Sequence, residues 1–275
     1  MPTMGKFLGQ DTLTKYSKIN GLPLSSYSKF LGMDMPASSA AGWLNWDESA
    51  EVGCATDDIF CCMMENVNAG GDETGQGGGL TGANLVLTQA GNIAGATGSP
   101  ARRALDGSGD YFSMTTAAID ALIGNANNTW SIVIKALFTD RAAAAQLFWL
   151  GQTGYDEVIR CSVNTNQKVV FNTIQDDTGD NVTTTDALSN STVYYFAIWT
   201  DGTDLRCGFS TTRPTKWSDF GANDRGIFGT NTGAYSGESF THSKNIFSYE
   251  STYEPWLGAG YYVVMSKTCL IDNAS

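Results

Sequence analysis

The chain has 275 residues, a formal net charge of −12 and 42% hydrophobic residues. This charge excludes proteins that hold nucleic acid on a basic surface, and the hydrophobic content excludes a disordered chain. Only 16% of the residues are charged, whereas 31 residues are glycine. We therefore expect a folded protein built from short strands and turns.

Three segments of the chain differ in charge and composition. Residues 1–36 carry a net charge of +2, and residues 37–100 contain eight acidic residues but no lysine or arginine. Residues of linker composition lie at 37–42 and at 75–82, and they mark the two ends of a shorter segment, 37–83. We predict an extended arm at 1–36, an acidic and glycine-rich connector at 37–83, and a folded body at 84–275.

The start of the chain indicates the compartment, and the cysteines leave their redox state open. The first residues lack the apolar segment of a secretion signal, and no apolar run approaches the roughly 20 residues of a membrane-spanning helix. We therefore expect synthesis in a cytoplasm without secretion. The six cysteines are expected to be small buried side chains, with their redox state left open. His242 is the only histidine, so a zinc site would need mostly thiolate ligands.

The arm contains a short repeat of the form Lys-apolar-x-Gly, at intervals of twelve and eleven residues: Lys6-Phe7-Leu8-Gly9, Lys18-Ile19-Asn20-Gly21 and Lys29-Phe30-Leu31-Gly32. Each unit is too short to bury its own apolar residues. We therefore predict strand-and-turn units that dock on this chain's body or on another subunit, the alternative being a flexible leader. The candidate docking residues are Lys6, Phe7, Tyr16, Lys18, Ile19, Tyr27, Lys29 and Phe30.

The connector contains one apolar stretch, Ile59–Met64, in acidic surroundings. Its periodicity is compatible with one short helix or with one strand. The many acidic residues lack the spacing of an EF-hand calcium loop, so a solvated acidic surface is the preferred interpretation.

The body consists of short apolar segments separated by turn residues, a pattern that predicts a two-sheet antiparallel sandwich. Trp130–Phe138 alternates between apolar and polar residues, and Val193–Trp199 is apolar at every position, which is typical of a central strand. Residues 103–114 predict a hairpin around Asp106-Gly107, and Ala117–Leu122 predicts the one helix. The other predicted strands are Asn84–Gln89, Gln146–Leu150, Glu157–Val163, Lys168–Ile174, Val182–Thr185, Leu205–Phe209, Gly226–Phe228 and Gly260–Ser266.

Several stretches carry a family resemblance. Residues 104–112 (Ala-Leu-Asp-Gly-Ser-Gly-Asp-Tyr-Phe), 129–132, 146–151 and 193–203, with the closing segment 256–271, resemble the laminin-G-like branch of the concanavalin A-like jelly rolls. This resemblance covers roughly residues 84–275 and implies an all-β jelly-roll sandwich, but no ligand. The repeat arm ahead of it resembles the leaders of virion structural proteins of tailed phages. Residues 213–255 depart from the family pattern.

No stretch predicts an enzyme. The related jelly-roll glucanases carry Glu-x-Asp-x-x-Glu on one strand, and this spacing does not occur in the sequence. His242 lies in no nucleophile-elbow motif, and the glycines at 77–79 are not followed by the residues of a phosphate loop. Residues 177–181 favour a hairpin turn, and a calcium-binding cluster is the functional alternative. We expect no cofactor otherwise.

Two functions remain. The first is a non-enzymatic structural protein of a phage particle, on the capsid or the tail, whose arm docks on virion subunits in a homo-oligomer or many-copy assembly and whose jelly roll faces outward. The second is a carbohydrate-binding module for a cell-surface glycan. Aromatic rings stack on sugars, and the candidates are Trp217, Tyr235 and Trp256, for which packing onto the sandwich is the alternative.

Overall fold

The computed structural model describes residues 57–124, 128–140, 143–152, 156–249 and 254–273, and the strands of six short segments between residues 6 and 34. The chain divides into two compact units, Met1–Ala41 and Gly42–Ser275. In the parts described, no helix is both long enough and apolar enough to cross a membrane.

The described residues of the first unit form three antiparallel strand pairs, and each pair begins at one copy of the repeat. In every pair two residues separate the strands, and the second of the two is glycine, the composition that tight two-residue turns favour. The predicted strand-and-turn units are thus present. They are β1 (Lys6–Phe7) with β2 (Gln10–Asp11), β3 (Lys18–Ile19) with β4 (Leu22–Pro23), and β5 (Lys29–Phe30) with β6 (Met33–Asp34).

The second unit contains two antiparallel sheets, of which we call the first the front sheet. Eight strands lie side by side in it. In spatial order they are β17 (Thr178–Ala187), β16 (Lys168–Gln175), β15 (Val158–Val163), β14 (Ala145–Gly151), β21 (Ser243–Ile246), β12 (Tyr111–Ser113), β10 (Val86–Ala90) and β8 (Glu73–Thr74).

The other sheet is the back sheet. Its strands lie in the order β20 (Arg225–Ile227), β19 (Leu205–Ser210), β18 (Thr192–Thr200), β13 (Trp130–Phe138), β22 (Leu257–Ser266), β7 (Ile59–Met63) and β9 (Gln76–Gly77), and β11 (Arg103–Asp106) also pairs with β22. The predicted all-β, two-sheet antiparallel sandwich is therefore confirmed.

The apolar stretch at residue 59, for which helix and strand were open, is a strand inside the back sheet. β7 pairs with β22 from Ile59↔Ser266 to Tyr262↔Met63, and all five of its residues are buried. β8 and β9 also precede residue 84. The sandwich therefore begins earlier than the boundary expected at residue 84, because the sheets need these strands to complete their edges.

The expected hairpin at 103–114 is wrong. β11 pairs with β22 in the back sheet, whereas β12 pairs with β10 and β21 in the front sheet. Between them the chain crosses from one sheet to the other. Asp110 fixes this crossing, because its carboxylate accepts hydrogen bonds from the amides of Asn92 and Asp106. The glycines at 107 and 109 adopt positive φ, as a tight change of direction requires.

The main core lies between the two sheets. It includes the inward side chains of β13 and β18, such as Trp130, Ile132, Phe196 and Ile198. The back sheet is also buried on its outer face, where Val133, Tyr195, Trp199 and other residues form a second cluster, completed by residues 217–220 and 269–271. Burial on both faces explains why Val193–Trp199 is apolar throughout, as predicted.

One α-helix, α1 (Thr116–Leu122), lies in the described part of the second unit, where the sequence predicts it. Thr115 caps its first turn by accepting the amide of Ala118. In the same described part, 3-10 turns span Gly82–Leu85 and Trp217–Asp219. Cys62, Cys161, Cys207 and Cys269 are free thiols, as expected for small core residues, and the first three of these are buried. Cys61 forms a disulfide, which the sequence left open.

Candidate functional site

Two of the three predicted sugar-stacking residues belong to the core. Trp256 is fully buried between Phe138 and Phe196, and its indole Nε1 donates to the Leu137 carbonyl at 2.9 Å. Tyr235 is also fully buried, with its hydroxyl 3.2 Å from the Val158 carbonyl oxygen. Burial raises the pKa of Tyr235 well above its ordinary value. The expectation that these rings bind sugars is wrong, because a ring without exposed surface cannot stack on a ligand.

Trp217 is half-buried, but its ring is already in contact with protein groups. The guanidinium carbons of Arg206 and Arg225 lie 5.2 and 4.5 Å from the ring centroid. The Trp199 ring meets it edge-on at 5.8 Å. Trp217 therefore closes the outer cluster of the back sheet, which agrees with the packing alternative.

The outer face of the front sheet is less covered than that of the back sheet. In β15 and β16, buried residues such as Cys161 and Phe171 point into the main core and alternate with half-buried residues such as Arg160 and Asn172. The most exposed strand is β17, of whose ten residues one is buried. The outer face of the front sheet therefore keeps accessible side chains among the described residues.

One row of side chains crosses this face from strand to strand in register. The pairings are Thr88↔Ser113, Ser113↔Asn245, Trp149↔Asn245, Trp149↔Arg160, Arg160↔Asn172 and Asn172↔Asn181. We call these seven residues the transverse row. Neighbouring strands are about 4.8 Å apart, so the six steps span roughly 29 Å. The row contains hydroxyls, amides, one indole and one guanidinium, and no carboxylate.

Trp149 and Arg160 form the centre of the transverse row. The guanidinium carbon of Arg160 lies 4.7 Å from the centroid of the Trp149 ring. The centroid of the Tyr249 ring lies 4.0 Å from the same Trp149 centroid. Asn245 holds this arrangement in place, because its Nδ2 donates to the Tyr249 carbonyl at 2.6 Å. All four side chains are half-buried. The centre is therefore a preformed contact of rings and guanidinium and not a loose surface.

Two donors at this centre have no hydrogen-bond partner among the described residues. Trp149 Nε1 and Arg160 Nε are both buried and make no hydrogen bond. Nearby, Gln146 Nε2 donates to Glu254 Oε2 at 2.5 Å, while Gln146 Oε1 is unsatisfied. Burial lowers the pKa of Arg160, and the charge of Glu254 opposes this shift. Unsatisfied buried donors are costly, and a ligand oxygen that reached these two donors would remove that cost.

A second group of polar residues lies at one end of the front sheet, around Glu157. This carboxyl is 3% exposed, and its Oε1 accepts the amide of Asp176 at 2.9 Å. Burial, followed by the charges of Glu238, Asp176 and Asp156, raises the pKa of Glu157 to about 7. Among the described residues no group of three or more acids, cysteines or histidines could hold a metal ion.

The segment 177–181, with its calcium alternative, lies in the β16–β17 hairpin. Asp176 and Asp177 form a two-residue turn with φ of 49° and 61°. Asp180 accepts the amide and hydroxyl of Thr230 at 2.8 and 3.0 Å. Its carboxylate therefore already has protein partners, which fits the hairpin interpretation of this segment.

The candidate docking residues of the arm fall into two groups. Six of them, the lysines and apolar residues at 6–7, 18–19 and 29–30, form the first strand of each pair in the first unit. Tyr16 and Tyr27 lie outside the described residues.

The transverse row was not predicted from the sequence. Trp149 lies in an apolar run that predicts a buried strand, and only the bulge in its pairing, between Gln146 and Phe148, turns its ring outward. One signal was present, because Arg160 and Asn172 are polar residues at outward positions of otherwise apolar strands.

Comparison with solved structures finds β-sandwich proteins at low identity. Tailspike protein 2 of an Escherichia coli O157:H7 bacteriophage matches 68% of this chain and 26% of its own length, with 14% identity and a TM-score of 0.44. A Trypanosoma rangeli sialidase matches 84% of this chain and 36% of its own, with 9% identity and a TM-score of 0.49. The CBM40 domain of a Ruminococcus gnavus sialidase matches 57% of this chain and 82% of its own length, with 10% identity and a TM-score of 0.41.

No family model and no curated protein sequence matches the chain. The chain spans about a quarter of the length of the tailspike. At identities of 9–14% and TM-scores of 0.41–0.49, these likenesses assign no activity to this chain.

Proposed function

We propose that the second unit binds a polysaccharide along the transverse row of the front sheet. The observation that carries this proposal is the register of the row, which places hydroxyl, amide, indole and guanidinium groups on one line across six strand pairings. A sugar chain offers hydroxyls that both donate and accept, and the amides and hydroxyls of the row match both roles.

The shape of the row also favours an extended ligand. Its span of roughly 29 Å exceeds the length of a single sugar ring, and its residues lie on hydrogen-bonded strands and not on loops. The aromatic and polar groups at its centre match a ligand with apolar ring faces and polar edges. A protein partner would instead favour a large apolar patch, and the large hydrophobic side chains that are exposed in the described residues, Val67 and Ile227, lie outside the row.

We further propose that this module works without enzymatic activity or cofactor, on a phage particle. The sequence resemblance of the repeat arm supports this context. Three strand pairs of the same form in a separate unit suit repeated contacts with virion subunits. In a many-copy assembly, weak single contacts to a surface glycan add up through avidity.

The test of glycan binding is a polysaccharide array followed by titration of the best binder. Trp149→Ala and Asn172→Ala should each weaken binding at least tenfold, since the first removes the indole at the centre of the row and the second removes the amide opposite Arg160. Trp217→Ala is the matched control, because it removes a half-buried tryptophan on the back sheet, and it should leave binding within about twofold. Thermal unfolding verifies that each variant is folded.

If the folded protein bound no polysaccharide on a broad array, the result would count against the proposal. Equal losses for Trp149→Ala and Trp217→Ala would also contradict it, because the effect would then not depend on the front sheet.

The docking role of the first unit needs its own test. Light scattering compares the full chain with a chain that lacks residues 1–41, the boundary of the compact unit. We expect the full chain to assemble with itself or with virion proteins and the shortened chain to remain monomeric and folded. Incorporation of the shortened chain into particles at the full level would refute docking through this unit.

A further inference from the structure

We infer that the polysaccharide is acidic, and that Arg160 and Trp149 together bind a carboxylate of its sugar residues. This inference rests on the proposed function and specifies the chemical class of the ligand. Its basis is the pair of unsatisfied donors, Arg160 Nε and Trp149 Nε1, at directly paired positions of β15 and β14.

The geometry matches an anion with two oxygens. The guanidinium lies over the indole at 4.7 Å, so the two groups share one place on the face of the sheet. A carboxylate accepts several hydrogen bonds and is the preferred partner of a guanidinium fork. A neutral sugar hydroxyl could accept from one of these donors, but it would leave the guanidinium without a carboxylate in direct contact.

The surroundings of Arg160 leave its charge open to such an anion. The transverse row contains no carboxylate, and no ion pair of Arg160 occurs in the structure described. The nearby acid is Glu254, whose carboxylate interacts with Arg160 at longer range and accepts from Gln146. A half-buried charge without an ion-pair partner is unfavourable, and an incoming carboxylate would remove this cost.

Because the chain as a whole is negatively charged, binding of an acidic polymer depends on a local positive charge such as that of Arg160. An acidic polymer is repelled by a protein of net charge −12. Specific binding of such a polymer therefore requires a short-range contact that salt screens weakly, which a partly buried guanidinium provides. The same repulsion excludes acidic polymers that cannot reach Arg160.

The experiment uses the full chain and a panel of acidic polysaccharides: polygalacturonate, alginate, hyaluronate and polysialic acid. Each polymer is paired with its carboxyl-reduced, neutral derivative of the same backbone, and neutral glycans of the array are included. We expect the binders to be carboxylate polymers, and carboxyl reduction to weaken their binding at least tenfold.

Variants identify the residue that binds the carboxylate. Arg160→Gln should abolish the difference between a polymer and its reduced derivative, and Trp149→Phe, which keeps a ring but removes Nε1, should reduce it. Lys168→Gln is the control, because it removes a positive charge from the neighbouring strand β16. It should change the affinity for the acidic polymer and for its reduced derivative by no more than twofold. Thermal unfolding confirms that the variants are folded.

The outcomes separate the two proposals. Equal binding of acidic and reduced polymers, or preference for neutral glycans, overturns the acidic class while the polysaccharide-binding function stands. Absence of binding to every polymer, acidic or neutral, by a folded protein overturns the function itself.

Discussion

Arg103 and Glu73 form an ion pair inside the sandwich, with Arg103 Nη1 2.6 Å from Glu73 Oε1 and both side chains at most 1% exposed. Glu73 also accepts the amides of Glu65 and Asn66, and Arg103 donates to the carbonyls of Asn66 and Gly71. One buried pair therefore fastens the segment after β7 to β11. The sequence shows these residues thirty positions apart, with no sign that they meet.

Removing one member of this pair should destabilise the fold strongly. Arg103→Met leaves the carboxylate of Glu73 buried without its cation, so we expect the free energy of unfolding to fall by about 3–5 kcal/mol. Arg102→Met, at the exposed neighbouring position, should cost less than about 1 kcal/mol. Urea unfolding of both variants measures the difference, and similar losses would show that the buried pair has no special role.

Glu157 should make stability depend on pH. Its pKa is about 7 in the folded protein and close to 4.3 when unfolded, so the folded state binds the proton more tightly. Stability from this group is therefore fully present below about pH 4 and decreases as the pH rises to 7. Glu157→Gln removes this term and should be more stable than the parent protein at pH 8, by up to about 3 kcal/mol.

The measurement is the free energy of unfolding of both proteins at pH 5 and pH 8. The gain of Glu157→Gln should grow between these two values, because other carboxyls titrate alike in both proteins. A gain that does not change with pH would mean that the carboxyl of Glu157 titrates normally in the folded state.

Trp256 should matter for stability and not for ligand binding. Trp256→Ala opens a cavity between Phe138 and Phe196 and should cost about 3–5 kcal/mol. Trp256→Phe fills much of that space but leaves the Leu137 carbonyl without its donor, and should cost less. Glycan binding per folded molecule of Trp256→Phe should equal that of the parent protein. If Trp256→Phe lost glycan binding without losing stability, Trp256 would belong to the ligand site after all.

Gly258 should resist substitution because of its backbone. Its φ is +142°, and a Cβ at this position would collide with the carbonyl oxygen of Leu137 on the paired strand β13. We expect Gly258→Ala to cost about 1–3 kcal/mol or more. Gly179→Ala is the control, since a Cβ at residue 179 would meet no heavy atom within 4 Å; it should change stability by less than about 0.5 kcal/mol. Thermal unfolding of the two variants provides the comparison.

The fold could be predicted where one strand alone carries the signal. Trp130–Phe138 has the predicted bounds, and Val193–Trp199 extends by one residue at each end, because long apolar runs flanked by turn residues are local features. Ser243–Ile246 was missed, since a four-residue strand with Ser, Lys and Asn has no apolar pattern. The Asp106-Gly107 turn led to a wrong pairing because turn chemistry does not report which sheet each neighbouring segment joins.

The candidate site could not be predicted in the same way, because register between strands creates it. Trp149 and Arg160 are eleven residues apart in the sequence and directly paired in the sheet. Asn245 joins them from a strand that the sequence did not show. The sequence instead drew attention to Trp256 and Tyr235, since composition reveals an aromatic side chain but not which side of the sheet it occupies.

The position of β22 determines when this protein can finish folding. Its residues Leu257–Ser266 lie near the end of the chain but in the middle of the back sheet, between β13 and β7. Until β22 is synthesised, β7 and β13 cannot be linked through it in one sheet, and their apolar side chains cannot be fully buried. Closure of the back sheet is therefore a long-range step that cannot precede the synthesis of β22.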